Sequence, residues 1–184
     1  MNTVQTFLNN SQDLICGPIL SLVAKQAAQA DATRSVDPSV IQAIKQTDLI
    51  RASATRDIGG VEANVSTIAT ELEALAGACA STAWCLWNHL CVFHFFCGQL
   101  GPDGTDTLKK IVMNREWVSF PAGAGTNVHG TTDGDRVVIN GRASFASGAR
   151  YGDWAGCLFA LDHAAHPPSE KPDLRFTVGS ADWK

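Results

Sequence analysis

Two segments in the second half of the chain combine glycines with hydroxyl side chains. A Gly-Ala-Gly-Thr loop at residues 123–126 could hold a phosphate through its backbone amides and the Thr126 hydroxyl. Residues 140–148 place Phe145 and Ser147 on a predicted strand that runs into a glycine. Small residues there would let a flat ring approach the backbone, and a serine can donate a hydrogen bond to a ring nitrogen. By themselves, a flexible turn and a strand with serines facing water explain the two segments at least as well.

Two histidines, His89 and His94, lie near Trp84 in a stretch without charged residues. A histidine among aromatic residues is more often a hydrogen-bonded core residue than a catalyst, and both interpretations stay open. A His-x-x-His pair at residues 163–166 is followed at once by two prolines. We therefore expect no metal site there.

The cysteines also argue against a metal site. Four of them recur every sixth residue, a step that turns a helix by about 240°, so they cannot share one face as metal ligands must. They are Cys79, Cys85, Cys91 and Cys97. The first twelve residues have neither the basic start nor the long apolar run of a signal peptide. We therefore expect reduced, buried thiols in a cytoplasmic protein.

Composition and charge narrow the class of protein. With 45% hydrophobic and 17% charged residues, the 184-residue chain is expected to fold as one ordinary domain or two small ones. A net charge of −4 provides no electrostatic footprint for nucleic acid or an anionic membrane. Residues 74–102 carry no charge and are long enough to span a bilayer, but they contain polar side chains and lack flanking basic clusters. A buried helix pair is the favoured interpretation of this stretch, and a membrane span is the alternative.

The apolar pattern changes from helical to strand-like along the chain. Residues before 115 show helical spacing, with one helix start at Asp37-Pro38 and another near residues 64–67. After that, short apolar runs alternate with turns; the strand candidates are residues 117–120, 137–139, 143–147, 154–161 and 174–178, with turns at 133–135 and 140–141. The sequence therefore predicts an α+β fold, with an N-terminal helical domain over residues 1–114 and a small antiparallel β-domain over residues 115–184.

Four motifs occur in an order that resembles one enzyme superfamily. They are Arg-Asp-Ile-Gly-Gly-Val-Glu at residues 56–62, the stretch from Glu-Leu at residues 71–72 to Ala-Ser-Thr-Ala-Trp at residues 80–84, the loop at residues 123–126, and the segment at residues 140–148 with Asp-Trp at residues 153–154 just beyond it. In this order they resemble the acyl-CoA dehydrogenase superfamily, and most closely its flavin-dependent monooxygenase branch, the oxygenase components of two-component aromatic hydroxylases. Phe-Pro-Ala at residues 120–122, where dehydrogenases usually have Thr-Glu-Pro, favours the monooxygenase branch.

The resemblance implies an N-terminal helical domain and a middle β-domain with FAD or FMN bound between them, followed by a C-terminal helical bundle that this sequence does not contain. The flavin would arrive reduced from a separate flavin reductase. It would react with O2 to a C4a-hydroperoxide that hydroxylates a small aromatic or cyclic substrate. The bundle would come from a longer protein or a second chain, in a homo-tetramer or a hetero-oligomer. Two alternatives stay open: an acyl-CoA dehydrogenase-type oxidoreductase, and a non-catalytic subunit of such an enzyme.

The resemblance also assigns roles to individual residues. Ser147 matches the hydroxyl that contacts flavin N5, and Phe145 matches the ring-packing position beside it. The other cofactor-binding candidates are Thr126 near the flavin phosphate, the backbone of Ser119 and Phe120 along the ring, and Trp84 at the edge of the pocket. His89 or His94 is the candidate for the active-site histidine of this branch.

Overall fold

The structure is a computed structural model that describes residues 14–121, 127–162 and 173–181. Within these residues five α-helices are followed by five β-strands, so the predicted α+β class is confirmed. The helices belong to one compact unit, Met1–Trp117, and the strands belong to a second, Val118–Lys184.

The starts of two helices are marked by polar caps. Asp37 accepts a hydrogen bond from the Ser39 amide (2.8 Å), and Asn64 accepts one from the Thr67 amide (2.8 Å). Both residues act as N-caps, which confirms the two predicted helix starts. The helices are α1 Leu20–Thr33, α2 Pro38–Gln46, α3 Val65–Ala78, α4 Ala80–Leu100 and α5 Thr105–Met113.

The uncharged stretch contributes the end of α3 and the whole of α4. The two helices are separated by a single extended residue, Cys79 (φ −159°, ψ 108°), which confirms the predicted pair of helices. The pair was predicted to be buried, but α4 is buried on one face only. One face of α4 is buried and includes Leu86, His89, Leu90, Phe93 and Phe96. The opposite face is open to solvent and carries Trp84, Trp87 and Phe95. None of the helices in the described residues combines the length and hydropathy that crossing a membrane requires.

An ion cluster ties the turn after α2 to the end of α5. The Asp48 carboxylate lies 2.9 Å from the Arg51 guanidinium and 3.0 Å from that of Arg115. Arg115 also donates to the Thr47 carbonyl (2.5 Å), and Arg51 donates to the Gly59 carbonyl (2.7 Å). Burial opposes the ionisation of Asp48, but hydrogen bonds from the two guanidinium groups outweigh it and lower the pKa of this carboxyl.

The lowered pKa of Asp48 makes a part of the stability dependent on pH. Because the pKa is lower in the folded state, the contribution is complete above the unfolded pKa of about 4 and is lost as the pH falls through the folded pKa. We expect Asp48→Asn to lower the free energy of unfolding at pH 7 by at most about 1 kcal/mol, since the side chain is 45% exposed. Urea unfolding of both proteins should show this difference shrinking below pH 4. A difference that stays constant with pH would contradict the assignment.

The second unit is a five-stranded sheet built around its fourth strand. The strands are β1 Val118–Ser119, β2 Val128–Asp133, β3 Arg136–Gly141, β4 Trp154–Leu161 and β5 Leu174–Ser180. β5 pairs antiparallel with nearly the whole of β4. β1 pairs in parallel with the first residues of β4, and β2 pairs in parallel with its last residues. β3 pairs antiparallel with β2 and lies at the edge of the sheet.

The sheet is mixed, whereas the sequence predicted an antiparallel one. β2 and β3 form the predicted hairpin, which turns at Gly134 with φ +59°. The chain then reverses a second time over residues 142–153, so that β4 runs in the same direction as β2 and pairs with it. Parallel pairing requires such a longer connection, and a pattern of tight turns does not reveal it.

The prediction of a second turn at Asn140-Gly141 is wrong. Both residues end β3, where Asn140 pairs with His129 and Gly141 pairs with Val128. Gly141 has φ +150°, and a Cβ atom on it would lie 2.1 Å from the carbonyl oxygen of Asn127. The glycine therefore permits a close approach between two backbones rather than a reversal of the chain.

Candidate functional site

The connection between β3 and β4 carries two of the predicted site residues, Phe145 and Ser147. The prediction of a strand over residues 143–147 is wrong, because Phe145 has φ +63°, which lies outside the β region. The Phe145 side chain is 82% exposed. Ser147 is half-buried, and the residue after it, Gly148, has φ +80° and caps the 3-10 turn Ala149–Tyr151. An exposed ring and a hydroxyl thus lie two residues apart on an irregular backbone.

Ser119, on β1, lies against the end of the same connection. It is buried, and its hydroxyl donates to the Trp154 carbonyl (3.4 Å). A Cβ atom on Gly152 would lie 2.9 Å from the Ser119 Oγ, so only a glycine leaves room for this hydroxyl. Phe120 packs edge-on against Phe176, with the ring centroids 5.8 Å apart. The Ser119 hydroxyl and the Phe120 ring are therefore both directed at other parts of the sheet unit.

Thr126, the candidate for phosphate binding, lies outside the described residues. The whole glycine-rich loop at residues 123–126 and the His-x-x-His pair at residues 163–166 also lie outside the described residues. The assignment of Thr126 to a phosphate stays a prediction.

The three remaining candidates lie on two faces of α4. His89 is buried, with its Nε2 2.7 Å from the Ile50 carbonyl oxygen and its ring centroid 5.0 Å from that of Trp117. Trp84, which is 58% exposed, and His94 lie at the surface. Five residues along a helix correspond to a rotation of about 140°, so Trp84 and His89 cannot point the same way. The structure places His89 in the core of the helical unit and Trp84 and His94 at its surface.

Glu71 is a buried carboxylate for which the sequence predicted no role. It is 4% exposed; its Oε1 accepts a hydrogen bond from the Ile15 amide (2.8 Å), and its Oε2 accepts one from the Cys16 amide (2.9 Å). Its spacing of three and four residues from Ile68 and Leu75 on α3 could have indicated burial, and a buried carboxylate requires hydrogen-bond partners. Through these two hydrogen bonds, Glu71 on α3 holds the residues that precede α1.

Burial makes most of the cysteine thiols weaker acids. Burial raises the pKa of five thiols. For Cys16 the nearby Glu71 carboxylate adds to this effect. The other four are Cys85, Cys91, Cys97 and Cys157. A thiol that stays protonated at neutral pH is a poor nucleophile and a poor metal ligand. All six cysteines are free, and no group of three or more His, Cys, Asp or Glu within the described residues could hold a metal ion.

Residues 143–149 are the segment for which the resemblance predicts contact with a flavin ring. Their own side chains are uncharged, and Arg142 and Arg150 flank them. The exposed Phe145 ring offers a surface on which a planar ring can stack. The Ser147 hydroxyl can exchange a hydrogen bond with a ring nitrogen. The segment thus presents an aromatic ring and nearby hydroxyl groups, the kinds of group that can stack on and hydrogen-bond to a planar heterocycle.

Comparisons with known proteins agree with the order of the motifs. No protein-family model matches the chain. The oxygenase component of p-hydroxyphenylacetate 3-hydroxylase from Acinetobacter baumannii is 30% identical over 140 residues, which are 74% of this chain and 32% of that protein. The chain thus spans about a third of the length of the curated relative that it matches.

Solved structures share the fold. TdsC, the dibenzothiophene monooxygenase of Paenibacillus sp. A11-2, was solved with FMN and indole; the match covers 95% of this chain and 43% of TdsC, with a TM-score of 0.79 and 15% identity. XiaF from Streptomyces sp., solved with FADH2 and glycerol, matches over 96% of this chain and 41% of its own, with a TM-score of 0.77 and 15% identity. The chain therefore has the fold of the N-terminal and middle parts of the acyl-CoA dehydrogenase-like flavin monooxygenases, and the resemblance that its motifs indicated is confirmed.

Proposed function

We propose that this chain is the flavin-binding part of the oxygenase component of a two-component monooxygenase. Such an enzyme uses reduced FMN or FAD from a separate flavin reductase, together with O2, to hydroxylate a small aromatic or cyclic substrate. The observation that carries the proposal is the 30% identity, over 140 residues, to the oxygenase component of a hydroxylase. The fold shared with a monooxygenase solved with FMN and indole supports it.

The residues of the sheet unit would bind and orient the flavin. Bound reduced flavin supplies the electrons that activate O2. Phe145 would provide its exposed ring as a stacking surface, and Ser147 would hold the proton at the ring nitrogen N5 through its hydroxyl. The backbone of Ser119 and Phe120 would lie along the ring, and Thr126 would bind the phosphate.

The open face of α4 favours a neutral aromatic substrate over an acyl-CoA. No residue of α4 is charged, and its exposed side chains include Trp84, Trp87 and Phe95. A planar apolar substrate can pack on such a surface, whereas the phosphates of an acyl-CoA require cationic partners. Trp84 would lie at the edge of the substrate pocket, and His94 is the histidine candidate on this exposed face, since His89 is held in the core.

The proposed enzyme requires more than this chain. The aligned part makes up 43% of TdsC. The remaining part of the active enzyme would belong to a longer protein or to a second chain. The assembly would be a homo-tetramer or a hetero-oligomer that receives its flavin from the reductase. Free thiols support a location in the reducing cytoplasm.

Two serines of one segment provide a matched test of the flavin contact. Ser147→Ala is expected to weaken the binding of anaerobically reduced FMN about tenfold, because one hydrogen bond to the flavin ring is lost. Ser144→Ala, which removes an exposed hydroxyl three residues earlier, should leave the affinity unchanged. Fluorescence titration of the wild type and both variants measures the three affinities. Equal affinities for the two variants would remove Ser147 from this role.

A further inference from the structure

Phe145 combines a backbone conformation and an exposure that are both unfavourable for phenylalanine. Its φ of +63° lies in the left-handed region, where the Cβ atom of an L-residue approaches the following carbonyl oxygen. Glycine and asparagine adopt this region far more readily than a bulky residue does. The side chain is also largely exposed, so that burial of the ring does not compensate for the backbone conformation. Neither local preference nor packing explains a phenylalanine at this position.

The other non-glycine residues with positive φ are polar and have visible anchors. They are Arg34, Glu62 and Arg115. Arg34 ends α1 and donates its amide to the last carbonyls of that helix. The amide of Glu62 donates to the carbonyl of Ala54 (2.8 Å), and the guanidinium of Arg115 binds Asp48 (3.0 Å). In the described parts of the chain, no comparable hydrogen bond or ring contact involves Phe145.

The two ends of the connection restrict the conformation between them. At one end, Gly141 is paired with Val128 in the sheet and approaches the Asn127 carbonyl closely, and the Arg142 amide donates to that same carbonyl (3.2 Å). At the other end, the Tyr151 amide donates to the carbonyl of Gly148 (2.9 Å) within a 3-10 turn. A strained residue persists when the surrounding structure holds it in this way, and such residues cluster at ligand sites.

We propose that the left-handed backbone of Phe145 is strain that the fold retains in order to present its ring to a planar ligand, the flavin ring. The inference rests on the proposed function and goes beyond it, because it assigns residue 145 two opposite effects. The residue lowers the stability of the unliganded chain, and it raises the affinity for the flavin. A substitution can therefore improve one property while it weakens the other.

Three substitutions at residue 145 separate strain from stacking. Phe145→Gly and Phe145→Asn remove the ring and relieve the backbone, whereas Phe145→Ala removes the ring and leaves the strain in place. In the unliganded 184-residue chain, the Gly and Asn variants should melt about 2–4 °C above the Ala variant. All three variants should bind anaerobically reduced FMN about three- to tenfold more weakly than the wild type, since the stacking contact is lost.

Arg34→Gly is the matched control for the backbone effect. Arg34 has φ 55° at the end of α1, where glycine is the preferred residue. This variant should also melt higher than the wild type, but it should bind reduced FMN with unchanged affinity. The comparison distinguishes a general gain in stability at a left-handed position from the specific loss of binding at residue 145.

Different outcomes overturn different parts of the inference. If Phe145→Gly melts no higher than Phe145→Ala, the backbone of Phe145 is not strained and the inference fails, whatever the flavin result. If the wild type binds reduced FMN and the three variants bind it equally well, the ring is not the stacking surface and the inference fails while the proposed function stands. If the wild type binds no flavin, the proposed function and the flavin as the ligand of Phe145 fail together.

Discussion

Replacement of Glu71 by alanine is expected to lower the free energy of unfolding by about 3 kcal/mol. The carboxylate accepts hydrogen bonds from two consecutive amides, the part-buried amide of Ile15 and the buried amide of Cys16. Alanine would leave both amides without this acceptor. A donor left unpaired away from water costs about 1–3 kcal/mol, which applies in full to Cys16 and in part to Ile15. Chemical denaturation followed by tryptophan fluorescence measures the difference.

Glu73→Ala provides the control for this effect. Glu73 lies on the same helix, two residues further on, but its side chain is exposed. Its replacement should change the free energy of unfolding by no more than about 0.5 kcal/mol. If the two variants unfold at the same denaturant concentration, Glu71 does not anchor the residues ahead of α1.

Replacement of His89 by alanine is expected to lower the free energy of unfolding by a similar amount, about 3 kcal/mol. The imidazole is buried, holds the Ile50 carbonyl through Nε2 (2.7 Å) and packs against Trp117. Alanine would leave a cavity beside Trp117 and a buried carbonyl without its donor. Thermal and chemical unfolding of the purified chain measure the loss.

His94→Ala distinguishes the two histidines of α4. Because His94 is exposed, its replacement should leave the free energy of unfolding within about 0.5 kcal/mol of the wild type. If His94 is the active-site histidine, His94→Ala should lower substrate turnover in the complete enzyme although the protein stays stable. A stable His89→Ala variant would contradict a structural role for the buried imidazole.

Features that depend on neighbouring residues were predictable from the sequence. The helix starts at Asp37 and Asn64 were found because an N-cap side chain binds an amide only two or three residues away. The hairpin at Gly134 was found because its turn chemistry is local. Motif order also identified the fold, since it requires no knowledge of the contacts between segments.

Features that depend on distant residues were not predictable in this way. Asn140-Gly141 has the composition of a turn, but pairing with β2 across the hairpin extends β3 through both residues. The parallel pairing of β2 with β4 joins residues about thirty positions apart, and the bond between His89 and Ile50 spans 39 positions. The left-handed conformation of Phe145 runs against its residue type, so local preference could not predict it.

The site could be predicted only as a set of residues, not as an arrangement. The resemblance indicated Phe145 and Ser147, and the structure adds that they lie on an irregular connection rather than on a strand. The separation of Trp84 from His89 could have been predicted, since five positions on a helix place two side chains on different faces.

An anaerobic binding titration shows whether this chain binds reduced flavin. The purified chain is titrated separately with the reduced and the oxidised forms of FMN and FAD, and protein and flavin fluorescence are recorded. We expect measurable binding of at least one reduced flavin, tighter than that of its oxidised form. Tight binding of oxidised FAD would instead indicate a dehydrogenase-type oxidoreductase, and binding of none of the four forms would contradict the claim that this chain holds the flavin.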